Sequence, residues 1–111
     1  MESLKRRVPN PKPVSHDGVR YEVLLTGRSR GFEQNGGIIR AVDKANSSEL
    51  WTLVVYRVDI KPEGEEPDAQ EVFITKLALE AGGKRLVVDN ERKERFRVDL
   101  SNRAVTVSRR R

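Results

Sequence analysis

Apolar and polar residues alternate along most of the chain. From Val19 to Thr26, Val19, Tyr21, Val23 and Leu25 alternate with Arg20, Glu22, Leu24 and Thr26. A period of two places one set on each side of an extended backbone and predicts a strand with one well-buried face. Ile38–Asp43 follows the Gly36-Gly37 pair as a second strand. Glu49–Ile60 is the longest run. Leu50, Val54, Tyr56, Val58 and Ile60 share one face, with Trp51, Leu53 and Val55 opposite, before Arg57 and Asp59. Its first half is expected to be covered on both sides and its second half to keep one wet face. Glu71–Leu79 predicts a fourth strand, with Phe73, Leu77 and Leu79 on one side and Val72, Ile74 and Ala78 on the other. Lys84–Asp89, Arg95–Leu100 and Ala104–Ser108 read as a closing meander.

Punctuation between these runs is equally regular. Asp17-Gly18, Ala81-Gly82-Gly83 and Ser101-Asn102-Arg103 are turn sequences. Residues 61–68, Lys-Pro-Glu-Gly-Glu-Glu-Pro-Asp, predict a mobile polar loop. Asn90–Glu94 is read as a turn, against a competing short helix, because the flanking runs are short and β-patterned. Pro9, Pro11 and Pro13 each fix their own φ and exclude the preceding residue from the helical region, so 1–14 reads as an extended, flexible basic arm. A single β domain over 15–108 follows, then a basic tail at 109–111. About seven short, mainly antiparallel strands without a convincing long helix predict an all-β fold, either a small two-sheet sandwich or a half-open barrel.

Gly37-Ile-Ile-Arg-Ala-Val-Asp43-Lys-Ala-Asn-Ser-Ser-Glu-Leu-Trp51 resembles one blade motif of pyrroloquinoline-quinone-type β-propellers: a strand ending in Ala-x-Asp, a turn, and a return strand opening with Trp. Asn46-Ser47-Ser48 stands where the motif has a Thr-Gly-like turn. A fainter echo runs from Phe96 through Asp99 to Val105. The resemblance implies a hairpin in which an Asp bonds the turn backbone. It implies no quinone site, because that requires a full ring of blades and this chain holds at most about two. The chain also resembles small bacterial all-β proteins with the pattern Gln34-Asn-Gly-Gly37, Leu50-Trp-Thr-Leu53 and Val72-Phe-Ile-Thr75. That resemblance implies no activity.

The 111 residues fit one domain with a modest core. Without cysteine, disulfides, thiolate catalysis and Cys-based metal sites are excluded. No apolar run approaches the roughly 20 residues of a membrane helix. The first residues, with charge and no apolar stretch, are not expected to be a secretory signal. A cytoplasmic protein that does not engage membranes is the expectation. The net charge of +5 is concentrated at the ends. Residues 1–13 hold Lys5, Arg6, Arg7 and Lys12 against Glu2, and 109–111 hold Arg109, Arg110 and Arg111. Residues 14–107 carry 15 basic and 16 acidic side chains. The body is therefore electrostatically ordinary, and Lys5, Arg6, Arg7, Arg109, Arg110 and Arg111 are the candidate phosphate contacts.

Catalytic chemistry is poorly supplied. His16 is the single histidine, beside Asp17 at a turn, without a second histidine or a cysteine to complete a site. Asp43, Asp59, Asp89 and Asp99 each follow a valine, a recurrence that suits strand termination by side-chain bonds to nearby amides. No catalytic residue, cofactor or metal is expected. With five aromatic residues in every hundred, stacking platforms for bases are scarce. The loop Gly27–Gly37 has four glycines among eleven residues. Its N–H groups are capable of forming an anion nest, and Arg28, Arg30, Phe32, Gln34 and Asn35 make it the candidate partner or anion loop. The leading expectation is a non-enzymatic β domain acting by protein–protein interaction, in one form as a homodimer paired through a sheet edge or the Leu50–Ile60 strand. The alternative is a nucleic-acid-associated module using the tails with Arg28 and Arg30.

Overall fold

The computed structural model describes residues 8–108, the side chains of Pro67 and Asp68 excepted. The fold is all-β, as the alternation predicts, with eight strands rather than seven. Strands β1 (Val14–His16), β2 (Val19–Leu24), β3 (Ile38–Asp43) and β4 (Glu49–Val54) form one antiparallel sheet in chain order. Strands β5 (Ile74–Glu80), β6 (Arg85–Asn90), β7 (Arg95–Asp99) and β8 (Val105–Ser108) form a second sheet in the same way. Neither closes into a barrel. Tyr21, Ile39 and Ala41 of the first sheet share one buried cluster with Leu77, Leu86, Val88, Phe96 and Val98 of the second. Tyr56 stacks on Phe96 across that core, ring centroids 5.0 Å apart.

The additional strand is β1. Asp17 (φ 54°) and Gly18 (φ 79°) both adopt left-handed backbone, as a two-residue hairpin turn requires, and pair His16 with Val19. Val14 therefore belongs to the β domain and not to the arm.

The run Glu49–Ile60 is strand only as far as Val54. Val55 N–H still donates to Gly37 O, but beyond it a side chain replaces the neighbouring strand. Gln34 Nε2 donates to Tyr56 O, and its Oε1 accepts from Val58 N–H. Nor is the first half of that run, β4, covered on both sides. It ends the sheet, and Leu50 is an extra residue between the Ala41–Trp51 and Val42–Glu49 pairs, 49% exposed. In Glu71–Leu79 the strand begins at Ile74. A second bulge, at Thr75, reverses the parity and turns both Ile74 and Leu77 into the core, so the predicted split between faces fails there.

Asn90–Glu94 is a turn. Asn90 Oδ1 accepts from the N–H groups of Arg92 and Glu94. The two Asp turns share the same side-chain-to-backbone bonds. Asp43 Oδ1 accepts from Ala45 N–H as Asp99 Oδ1 accepts from Ser101 N–H. Asn46 Oδ1 accepts from Ser48 N–H as Asn102 Oδ1 accepts from Ala104 N–H. Ser47 (φ 62°) and Arg103 (φ 64°) occupy the same left-handed position. Asp59 and Asp89 depart from this use. Asp59 pairs with Lys61, and Asp89 lies within β6, bonded to Arg95 at 2.8 and 2.9 Å.

Candidate functional site

The loop between β2 and β3 is ordered from within. Its first residues form a tight 3-10 turn, Gly27–Arg30, closed by Gly31 at φ 95°. Asn35 Oδ1 accepts from Arg28 N–H, and Gln34 Nε2 donates to Gly36 O as well as to Tyr56 O. The N–H groups of Asn35 and Gly36 converge on one carboxylate, as an anion nest does. The anion is Glu71 of the same chain, 2.8 Å from each N–H and 2% exposed. Gly36 is there because Val72 O lies 2.3 Å from where a Cβ would stand. Tyr56 Oη donates to Val72 O at 2.7 Å. Burial, reinforced by the charge of Glu91, pushes the Tyr56 hydroxyl pKa well above its ordinary value. Glu71 is the member of this hub that sequence reading missed. Its partners lie 35 and 36 positions away, and the Gly36-Gly37 pair marked only their half of the contact.

The candidate loop residues therefore divide. Gln34 and Asn35 are spent on the loop's own architecture. Arg30 is held by Glu49 through two bonds of 3.0 and 2.8 Å. Arg28 is exposed, and half-buried Phe32 lines an open 430 Å³ recess with Gly31, Glu33, Gln34, Val54 and Arg57. The proposed phosphate contacts Lys5, Arg6, Arg7, Arg109, Arg110 and Arg111 lie outside the described residues.

Charge covers the outer face of each sheet. On the first, Glu22 bonds Arg20 and Arg40, and Glu49 bonds Arg40 and Arg30. Burial opposes ionisation of Glu22, but its two arginine bonds outweigh it and lower the pKa. The Arg30 bond lowers that of Glu49. On the second sheet Glu80 bonds Arg97 and Arg85, and the Arg97 bond lowers the Glu80 pKa. The Ser101 hydroxyl and then its N–H lower that of Asp99.

His16 is exposed, lies 3.8 Å from Asp17, and rests its ring against Gly83. The larger recess, of 610 Å³, is lined by Asp59, Gln70, Glu71 and Arg92 among others. It holds no histidine, serine or cysteine. Among the described residues no three His, Asp or Glu side chains are grouped to hold a metal, and no helix is long and apolar enough to cross a membrane.

The sheet edges differ in how they are finished. β1 has three residues and lies beside β5. β4 carries the Leu50 bulge and the clamped Glu49. β8, Val105-Thr106-Val107-Ser108, has no charge, no proline and no bulge. Asp99 N–H donates to Ala104 O. By antiparallel alternation Thr106 and Ser108 then bond β7, while the backbone groups of Val105 and Val107 point away from the sheet. Val107 is 60% exposed.

No protein-family model matches the chain, and no curated protein is similar to it.

Proposed function

We propose that this chain is a non-enzymatic interaction module that takes an extended segment of a protein partner onto the β8 edge. One observation carries the reading: among the described residues, β8 lacks the charges, bulges, prolines and covering elements by which sheet edges are ordinarily blocked. A strand added there would bond the outward groups of Val105 and Val107 and cover the Val107 side chain.

The test is capture from the native lysate, with and without nuclease, using the wild type, Val107→Pro and Val54→Pro. Both substitutions remove an outward N–H from an edge strand without changing charge, so the ladders stay intact. The expected result is a discrete protein that survives nuclease, is lost with Val107→Pro and is kept with Val54→Pro. A partner indifferent to Val107→Pro would overturn the β8 reading. A partner that disappears with nuclease would favour the nucleic-acid reading through the basic tails and exposed Arg28.

A further inference from the structure

We infer that the segment β8 accepts is amphipathic, with large apolar side chains at alternate positions that enter the open side of the sandwich between β8 and β4. This rests on β8 being the docking edge and names what docks there. The two terminal strands lie on one flank of the molecule. β1 lies beside β5 on the other, and two contacts tie β4 and its continuation to the β7–β8 hairpin. The Arg103 guanidinium is 5.4 Å from the centre of the Trp51 ring, and Tyr56 stacks on Phe96. Directly paired residues of neighbouring strands share a face. Val105 and Val107 pair with Val98 and Phe96, so they face the first sheet. Trp51 and Leu53 pair with Ala41 and Ile39, so they face the second. Yet Val107 is 60% exposed, and Trp51, Leu53 and Val105 are only partly buried. These core-facing side chains stay in contact with water because, among the described residues, no further strand follows β4 or β8 in its sheet.

A strand added to β8 continues the second sheet past the last strand of the first. Every second side chain it carries then points into this gap. Alanine-sized side chains would leave Val107 and Leu53 wet. Leucine-sized ones reach toward β4 and bury apolar surface on both strands. Charge does not select the occupant. Val105–Ser108 carries none, and exposed Arg103 shares its turn with Asp99. A second copy of this chain is the poorer fit, because in a symmetric β8–β8 pair its strand offers only valines on this side.

The test uses the full chain and labelled eight-residue peptides, each flanked at both ends by one lysine and one glutamate for solubility. One peptide alternates leucine and threonine. A second has alanine in place of leucine. A third has the composition of the first with its leucines in one block. A fourth is the first, N-methylated at the amides that would bond β8. Affinity is read by anisotropy and, with unlabelled peptide, by the emission of Trp51, the single tryptophan. The alternating leucine peptide is expected to bind about ten-fold tighter than the alanine peptide. Its binding is expected to change little with salt and to shift Trp51 emission to the blue. N-methylation and Val107→Pro are each expected to abolish binding. Val107→Thr, which keeps the backbone N–H, is expected to weaken the leucine peptide about three-fold. Equal binding of the leucine and alanine peptides, both lost with Val107→Pro, would overturn the apolar occupant and leave the edge reading standing. Binding without a change in Trp51 emission, or equal binding of the block peptide, would do the same. Failure of every peptide would overturn the inference, and a captured partner indifferent to Val107→Pro would overturn the edge reading with it. A dimer in sedimentation that Val107→Pro dissociates would give the gap to a second copy and also overturn the inference.

Discussion

The two sheets are built alike and finished differently. Each is a four-stranded meander, and each closes its last hairpin with the same Asp–Asn turn and a left-handed residue before the final strand. The last strand of the first sheet is then disrupted. Leu50 bulges out of register, and Glu49 is clamped by Arg30 and Arg40. The last strand of the second sheet is plain from end to end. Topology decides which strands are terminal. Side chains decide whether a terminal strand is available to another chain.

The comparison breaks most directly at the core. Ile39 and Leu86 are fully buried, one in each sheet, within a common cluster. Ile39→Ala and Leu86→Ala are each expected to cost about 2–5 kcal/mol and to move a single cooperative transition in chemical denaturation. Separate transitions for the two variants would show that the sheets unfold independently.

Glu71 tests the joint between the sheets. Glu71→Ala leaves the Asn35 and Gly36 N–H groups without their acceptor, which costs about 3 kcal/mol. In hydrogen exchange the loss of protection is expected first in the 27–37 loop. Protection unchanged there would remove Glu71 from its assigned role.

Acid titration compares the outer faces. Glu22, Glu49, Glu80 and Asp99 all have lowered pKa values. Their contribution is complete above the ordinary values of 4.5 for glutamate and 3.8 for aspartate. It fades as pH falls through the lower folded-state values. The melting temperature is therefore expected to drop below pH 4.5, and to drop less in high salt.

The smallest effect separates the matched turns. Ser47→Gly relieves a left-handed residue and is expected to stabilise by about 0.5 kcal/mol. Arg103→Gly relieves the same strain but loses the stacking on Trp51, so its net effect is expected near zero. Equal gains from both would remove the Trp51 contact as a source of stability.

Much of this architecture was legible in the residues. Val19–Val23 and Arg95–Asp99 alternate cleanly because each has one face on the core and one carrying charge. The hairpin expected from Asp43 and its echo at Asp99 are both present. What escaped depends on partners distant in sequence. Val55–Ile60 has the composition of a strand, yet the backbone groups of Tyr56 and Val58 bond the side chain of Gln34, more than twenty residues earlier. The extra residue at Thr75 reverses the faces of β5, and periodicity carries no sign of an insertion. The glycine-rich loop was read as a candidate site for an outside anion or partner; two of its N–H groups bond Glu71 of the same chain instead, and nothing local marked that partner. Pairing was expected through a sheet edge or the Leu50–Ile60 strand. Both β4 and β8 are terminal strands, and the shortness of β8 made it an inconspicuous pattern.

Within each sheet every strand pairs with its neighbour in sequence, so contacts form between segments close along the chain and little chain entropy is lost before they do. During synthesis the first sheet therefore has all its strands once Val54 has left the ribosome. Its glycine-rich loop lacks its carboxylate until Glu71 follows. The first sheet also leaves its inner face uncovered until the second is made, so the latch and the core both wait on the C-terminal half of the chain.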